Sequence, residues 1–163
     1  AQAAGHSVET IDLAHLPVPP LTSQAAFMKE PVPDGLREAA QAIRDADHLV
    51  LIFPLWLGTM PALLKAFLEQ VMRPGLAFAH RERGFPEKLM AGKSARIIVT
   101  MGMPALLYRW WYGGLGVRGL RRSILQFAGF APVRTTLLGS VEADKRRREA
   151  WLDLMRRLGR AAR

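Results

Sequence analysis

Few side chains in this sequence have the types and spacing that unaided protein chemistry needs. The chain has no cysteine, and no cluster of His, Asp or Glu has metal-ligand spacing, so we expect no metal site. No Gly-x-Ser-x-Gly sequence is present, which argues against a hydrolase nucleophile. The run Gly113-Gly114-Leu115-Gly116 follows aromatic residues instead of a strand, so it lacks the context of a dinucleotide fingerprint. An enzyme with this sequence would therefore depend on a bound organic cofactor.

Aromatic residues are the most promising candidates for a site. Trp56 follows an apolar run, and the segment 108–112 contains Tyr108, Trp110, Trp111 and Tyr112. A phenol can donate a proton, and a group of exposed rings indicates a pocket wall or an interface. For Trp56 the sequence leaves both ordinary packing and a role in a site open.

The elements around Trp56 would place it where ligands bind. Residues 49–53 are a continuous apolar run, which predicts a parallel strand buried on both faces. Residues 61–72 have the apolar stripe of an amphipathic helix, with Pro61 near its first position and Thr59 as its cap. In open parallel sheets, ligands bind at the carboxyl ends of strands near helix N-termini.

Strand and helix patterns alternate through the rest of the chain, which predicts an α/β sheet. A helical end at 1–4 is stopped by Gly5, and residues 16–33 hold too many prolines for a regular element. Further strands are predicted at 7–13, 95–100 and 133–138, and further helices at 34–46, 117–127 and 142–158. In the last helix we expect Trp151, Leu152, Met155 and Leu158 to pack on the sheet.

The bulk composition is that of a globular chain with a strong positive charge. The 163 residues carry a net charge of +9, and basic residues concentrate in the last third. A basic surface can attract nucleic acid, but acidic residues interleave at helical spacing, so we favour a solvated helix face and expect no nucleic-acid partner. The sequence has no apolar run of membrane-spanning length, and a chain without cysteine fits a reducing compartment. We expect a cytoplasmic protein.

Several stretches resemble one enzyme family. They include Phe53-Pro54-Leu55-Trp56-x-Gly58-x-Met60-Pro61-Ala62-x-x-Lys65, Gly75-Leu76-Ala77-Phe78, Val99-Thr100-Met101-Gly102 and Phe127-Ala128-Gly129-Phe130. The sequence resembles the flavodoxin-like NAD(P)H:quinone oxidoreductases, which include DT-diaphorase and the potassium-efflux ancillary proteins. The resemblance implies a single doubly wound domain over 1–163, with a parallel sheet of order 2-1-3-4-5. The family's first strand and phosphate loop have no counterpart here, so we expect an N-terminally incomplete domain. The sheet would then have a gap between residues 8–13 and 49–53.

The resemblance also implies an activity and its residues. It predicts an enzyme that binds FMN or FAD and uses NAD(P)H to reduce quinones or similar planar acceptors by two electrons. The cofactor-binding residues would be Pro54, Leu55, Trp56, Leu57, Thr100, Met101, Gly102 and Met103. The substrate-binding residues would be Trp56, Phe78, Tyr108 and Tyr112, with Tyr108 as the catalytic proton donor. The family's partner His falls near Val117, which cannot donate a proton.

Partners follow from the same resemblance. The family's active sites lie between two subunits, so we expect a homodimer. The alternative function is a redox-sensing regulatory subunit that docks on a membrane ion-efflux transporter.

Overall fold

A computed structural model describes residues 1–81, 83–142 and 145–162 as alternating strands and helices. The strands in these ranges are β1 (His48–Pro54), β2 (Phe78–Ala79), β3 (Glu87–Lys88), β4 (Ser94–Thr100) and β5 (Val133–Leu138). The α-helices are α1 (Gln24–Lys29), α2 (Arg37–Asp45), α3 (Ala62–Val71), α4 (Ala105–Trp110), α5 (Leu115–Gly119), α6 (Gln126–Ala128) and α7 (Lys145–Arg160). Short 3-10 turns cover Gln2–Ala4, Leu13–His15 and Asp34–Leu36, and a π-helical segment, Leu120–Leu125, joins α5 to α6. None of the helices described is long and apolar enough to cross a membrane.

A parallel sheet of order β1-β4-β5 organises the fold. The register aligns Pro54 with Thr100 and Thr100 with Leu138, so the three strands end at one edge. The central strand β4 is buried through residues 95–99, as a strand covered on both faces requires. The predicted α/β class is therefore confirmed, and the loops that follow β1 and β4 are neighbours.

The strand predicted over residues 7–13 is wrong. Residues 7–12 join no strand in the described ranges, and Leu13–His15 is a 3-10 turn. Asp12 caps this turn by accepting a hydrogen bond from the Ala14 N–H at 3.1 Å. An alternating pattern becomes a strand only where a neighbouring strand pairs with its backbone groups. Among the described residues β1 pairs on one side only, with β4, so no gap between two strands is seen and the expected gap stays a prediction.

Burial on both faces, predicted for β1, is also wrong. Leu51 and Phe53 are buried, but Val50 is 43% exposed and Ile52 is 68% exposed. Leu51 and Phe53 belong to the core cluster with the buried residues of α2 and α3, and Val50 and Ile52 do not. Only one face of β1 is therefore closed by the described helices.

The final helix, α7, begins at Lys145, inside the predicted span; residues 143 and 144 lie outside the described ranges. It contains no buried residue: Trp151, Met155 and Leu158 are half-buried, and Leu152 is 55% exposed. The expected packing of this face on the sheet is thus incomplete. The helix lies against the N-terminal turn, where the His6 ring nitrogen Nε2 is 3.0 Å from the Arg160 carbonyl.

The proline-rich segment 16–33 contains an α-helix that the sequence analysis missed. The Ser23 hydroxyl caps α1 by accepting a hydrogen bond from the Ala26 N–H at 3.0 Å. A serine before a short run of helix formers, Gln24-Ala25-Ala26, was the signal available for it.

Two buried polar residues of the α3 end hold this segment. Arg73 donates to the Glu30 and Pro31 carbonyls at 2.5 and 3.1 Å, and to Gln70 Oε1 at 2.7 Å. Gln70 in turn donates to the Pro19 carbonyl at 2.8 Å. Burial lowers the pKa of Arg73, although an arginine remains charged. We call this pair and its carbonyls the Arg73 latch.

Candidate functional site

A tight turn follows β1 at the carboxyl edge of the sheet. The backbone of Trp56 pairs with that of Thr59 through two N–H···O=C bonds of 3.0 Å each. Between them Leu57 has φ of 48° and Gly58 has φ of 80°. Positive φ at both central residues is the mark of a type I′ turn. Thr59 therefore closes the turn and does not cap α3, whose N-cap is Pro61.

The turn presents large apolar side chains to solvent. Trp56 is 61% exposed and Leu57 is fully exposed. A left-handed backbone conformation costs a residue with a Cβ about 1–2 kcal/mol. Because the Leu57 side chain is exposed, no burial of that side chain offsets the cost. Strain held in place by surrounding structure is a common feature of ligand sites.

The loop after β4 lies beside this turn and is fixed by hydrogen bonds. The Leu55 N–H donates to the Thr100 carbonyl at 2.8 Å, and the Met101 N–H donates to the Leu138 carbonyl at 2.9 Å. The Met103 carbonyl accepts from the Ser140 N–H at 3.0 Å. A Cβ on Gly139 would lie 2.2 Å from the Ala105 nitrogen, so this approach requires glycine.

The backbone donors at this edge divide into engaged and free groups. The N–H groups of Trp56 and Met101 are used within the protein, so these two predicted residues cannot offer amide donors to a ligand. In the described chain, the N–H groups of Leu57, Gly102 and Met103 donate to no backbone or side-chain acceptor. The free amides belong to two adjacent loops at one edge, an arrangement suited to a ligand with carbonyl or ring-nitrogen acceptors.

Tyr108 is buried and supports the turn. It is 1% exposed, and its hydroxyl donates to the Gly58 carbonyl at 3.1 Å while accepting from the Val117 N–H at 3.3 Å. The structure thus brings Tyr108 and the Trp56 turn together, as predicted. The expectation that this hydroxyl faces an acceptor does not match the geometry, because both of its hydrogen bonds are internal. Tyr112, which is 51% exposed, is the phenol at this edge that solvent can reach.

Gly116 makes a second support that sequence analysis did not single out. A Cβ at this position would lie 2.4 Å from the Gly58 carbonyl oxygen and 2.7 Å from the Thr59 Cα. Helix α5 can approach the turn only because residue 116 has no side chain. The signal available in the sequence was the glycine-rich run 113–116, and in this structure Gly116 of that run allows close backbone packing.

Exposed apolar side chains extend from the turn along the following helices. They include Leu106 at 68%, Trp110 at 76%, Trp111 at 81% and Leu115 at 70% exposure. Together with Trp56 and Leu57 we call this the edge patch. Isolated exposed apolar residues are ordinary, but several large ones on neighbouring elements indicate an interaction surface.

The structure does not bring Phe78 to the edge patch. Phe78 packs edge-to-face on Phe127, with ring centroids 5.1 Å apart. Both rings line a cavity of about 330 Å³ beside α3, which Phe27, Leu68 and Met72 also line. The lining of this cavity includes none of the other predicted site residues.

The edge carries charges of both signs. Arg109 and Arg118 are exposed near the edge patch, and the exposed Glu142 follows Val141, whose N–H donates to the Met101 carbonyl at 3.3 Å. In the described ranges no three His, Cys, Asp or Glu residues could hold a metal ion. The site therefore offers amides and rings, with charges of both signs around them.

Residues 1–158 match the family described as having a flavodoxin-like fold. The chain is 30% identical over 106 residues to an FMN-dependent NADH:quinone oxidoreductase of Bordetella avium, covering 58% of this chain and 52% of that protein. It is 37% identical over 92 residues to FMN-dependent NADH:quinone oxidoreductase 1 of Idiomarina loihiensis, covering 56% and 47%. The chain thus spans about half the length of these curated relatives.

A solved structure agrees over nearly the whole chain. The NAD(P)H:quinone oxidoreductase of Methanothermobacter marburgensis superposes with a TM-score of 0.80 at 28% identity, covering 98% of this chain and 84% of that one.

Proposed function

The chain belongs to the flavodoxin-like fold family, and on that premise we propose that it acts as an FMN-dependent NAD(P)H oxidoreductase reducing quinones or similar planar acceptors. The observation that carries the proposal is the set of free amides of Leu57, Gly102 and Met103 beside exposed apolar side chains. A flavin needs this combination of an apolar slot and backbone donors. The names of the Bordetella and Methanothermobacter relatives support the same reaction class.

The residues present fit the flavin ring. When bound, the flavin would supply the chemistry, taking a hydride from NAD(P)H and passing it to the acceptor. The amides of Leu57 and of Gly102–Met103 would donate to its polar ring edge, with Pro54, Leu55 and Thr100 forming the base of the slot. Trp56 would cover the ring from solvent, and the exposed Arg109 and Arg118 would favour the reduced, anionic ring. FMN is the form named for the curated relatives, and we prefer it to FAD for that reason.

Proton supply would come from the exposed side of the site. We assign the donor role to Tyr112 with solvent, because Tyr112 is exposed and the Tyr108 hydroxyl is engaged inside. A catalytic role for Tyr108 remains a prediction, which the variant Tyr108→Phe tests. General acid assistance is worth about 10²–10⁴-fold in rate, so a donor at Tyr112 should be measurable by its loss in Tyr112→Phe.

The proposed working unit is a homodimer. The edge patch joins several large apolar side chains around the proposed cofactor site, and a second subunit would remove them from water. Docking on a membrane ion-efflux transporter is the alternative use of the same patch. Sedimentation of wild type and of Trp110→Ser/Trp111→Ser separates these outcomes, because a homodimer weakens without any transporter present. A wild type that is monomeric at micromolar concentration would contradict the homodimer.

The function is tested on protein expressed from the complete gene. We expect the purified protein to show a flavin spectrum, and to oxidise NADH or NADPH when a soluble quinone is added. A protein that neither purifies with nor takes up FMN, and that leaves the nicotinamide unchanged in the presence of quinone, would overturn the proposal. A cytoplasmic location remains a prediction, to be checked by cell fractionation.

A further inference from the structure

The first turn of α7 carries four consecutive basic residues, Lys145-Arg146-Arg147-Arg148. All four are exposed, and no other stretch of the sequence has four basic residues in a row. What such a run can bind depends on where this turn lies and on which face of α7 each cation is found.

The chain enters α7 from the loops of the proposed flavin site. The Ser140 N–H donates to the Met103 carbonyl at 3.0 Å, and the Val141 N–H donates to the Met101 carbonyl at 3.3 Å. Lys145 follows Val141 by four residues, which span at most about 14 Å even when fully extended. The basic turn therefore begins near the loop after β4, which carries two of the free amides.

Helical periodicity places two of the arginines on the inward face of α7. The half-buried residues Trp151, Met155 and Leu158 mark the face that lies toward the rest of the protein. Arg147 precedes Trp151 by four residues and Arg148 precedes Met155 by seven, so both continue this face by one turn. Both are nevertheless exposed, because the first turn extends past the elements that cover the later turns. The gap expected in the sheet is beside β1, two strands from β5, so it does not account for this exposure.

The acidic residues of α7 lie on the outward face. Glu149 and Asp153 pair there with basic neighbours, at 4.0 and 2.6 Å. Among the described residues Arg147 and Arg148 take part in no ion pair. The exposed Glu142, in the loop before α7, offsets only one of these two charges. The inward side of this turn is therefore positive and suits an anion.

Two other basic residues near this edge have internal contacts. Arg109 lies over the Trp110 ring, 5.8 Å from its centroid, and Arg118 donates to the Gly113 carbonyl at 3.4 Å. Both belong to the helices of the edge patch, which the proposed homodimer covers. The first turn of α7 lies outside the edge patch, so its arginines are the better candidates for an anionic ligand that enters from solvent.

We propose that Arg147 and Arg148 bind the phosphate groups of the nicotinamide dinucleotide that reduces the flavin. This inference rests on the proposed function. Hydride transfer requires the nicotinamide ring to lie against the flavin, and the pyrophosphate of the same molecule then extends away from that ring. Pyrophosphate carries two phosphate groups, one for each guanidinium, and arginine forms charge-assisted, often bidentate hydrogen bonds with phosphate. FMN also carries a phosphate ester, so the tests distinguish the two sources.

The first test is a binding experiment on FMN-loaded protein expressed from the complete gene. ADP carries the pyrophosphate without the nicotinamide, and it is titrated at constant ionic strength while backbone amides are followed by NMR. We expect saturable shifts at residues 145–148 with ADP and none there with adenosine, which lacks phosphate. Absence of a saturable shift at these residues with ADP, or equal shifts with adenosine, would overturn the proposal.

The second test uses two double variants of α7. Arg147→Gln/Arg148→Gln changes exposed residues and should keep the fold, yet raise the Kd for ADP and the KM for NADH about threefold to tenfold, as expected for exposed charge pairs. The KM for NADPH should rise more, because NADPH carries a third phosphate, and kcat should change less than KM. The matched control Arg157→Gln/Arg160→Gln removes two exposed charges from the outward face and should leave Kd and KM unchanged. Equal rises for the two double variants would overturn the assignment.

FMN affinity distinguishes the two sources of phosphate. Arg147→Gln/Arg148→Gln should leave it unchanged; weaker FMN binding with unchanged ADP binding would overturn the assignment to the dinucleotide. The phosphate site and the proposed function also fail separately. Protein that binds ADP through these arginines but reduces no quinone would contradict the proposed function and support the site. Quinone reduction with a KM that the variant does not change would overturn the site and support the function.

Discussion

The two ends of α3 use buried polar side chains in opposite ways. At the C-terminal end of α3, the Arg73 latch donates hydrogen bonds to carbonyls of the proline-rich segment and holds that segment in place. At its N-terminal end the Tyr108 hydroxyl holds the Trp56 turn from below, and the turn keeps free amides and exposed apolar side chains. The Arg73 latch closes the surface at the proline-rich segment, whereas the Trp56 turn presents a surface to solvent. The difference indicates that the turn is built to hold a ligand and the latch to hold the chain itself.

The strongest test of this contrast is Arg73→Met. Loss of charge-assisted hydrogen bonds to buried carbonyls should lower the free energy of unfolding by about 3 kcal/mol. Urea unfolding measures the change. The variant Arg73→Lys keeps the positive charge but lacks the planar guanidinium group, so its free energy of unfolding should lie between those of Arg73→Met and wild type. FMN affinity of the folded fraction should stay unchanged. A variant that keeps wild-type stability would show that the latch does not hold the segment.

Gly116→Ala should be the next largest effect, acting at the turn. The added Cβ would meet the Gly58 carbonyl at 2.4 Å, and such overpacking costs about 1–3 kcal/mol. FMN affinity should fall with it, because the turn must move. Gly119→Ala is the matched control in the same helix: nothing lies within 4 Å of its Cβ, and alanine should stabilise the helix by up to about 1 kcal/mol. Equal changes in unfolding free energy and in FMN affinity for Gly116→Ala and Gly119→Ala would contradict the close packing of Gly116 on the turn.

Tyr108→Phe removes one hydroxyl under the turn. It leaves the buried Val117 N–H and the Gly58 carbonyl without their partner, so unfolding free energy should fall by about 1–2 kcal/mol. FMN affinity should fall as well, since the hydroxyl positions the turn. Unchanged stability and affinity with much slower quinone reduction would instead support the catalytic role predicted from sequence.

Leu57→Asn should have the smallest effect and the opposite sign. Asparagine tolerates the left-handed conformation, and Asn-Gly is the preferred type I′ pair, so stability should rise by about 0.5–1 kcal/mol. The same change removes an exposed apolar side chain from the slot and should weaken FMN binding. Thermal unfolding and FMN titration measure the two effects; a variant that binds FMN as well as wild type would mean that the Leu57 side chain has no part in the site.

Sequence patterns predicted the parts of this molecule that depend on local periodicity. The strands at 49–53, 95–100 and 133–138 and the helix after Pro61 were confirmed. The strand at 49–53 carries a continuous apolar run and the helix an apolar stripe, whereas 133–138 is rich in β-branched residues. The strand at 7–13 was not confirmed, since an alternating pattern gives no information on whether a partner strand is present. The helix cap Ser23 was missed because the interpretation of residues 16–33 rested on their many prolines.

The site was less predictable than the fold. The position of Trp56 between a strand and a helix was predicted, but the inward direction of the Tyr108 hydroxyl depends on α5 approaching the turn at Gly116, a long-range packing event. The separation of Phe78 from the edge patch has a similar cause, because Phe78 is held by Phe127 of a distant segment. Residue types indicated which side chains could act, and tertiary contacts decided which of them face solvent.

The most direct test of the central claim is an FMN titration followed by backbone amide NMR. The account predicts that FMN shifts the amides of Leu57, Gly102 and Met103 most, with little change at Arg73 and around the cavity lined by Phe78 and Phe127. Largest shifts around that cavity, or no saturable shift in the two edge loops, would contradict it.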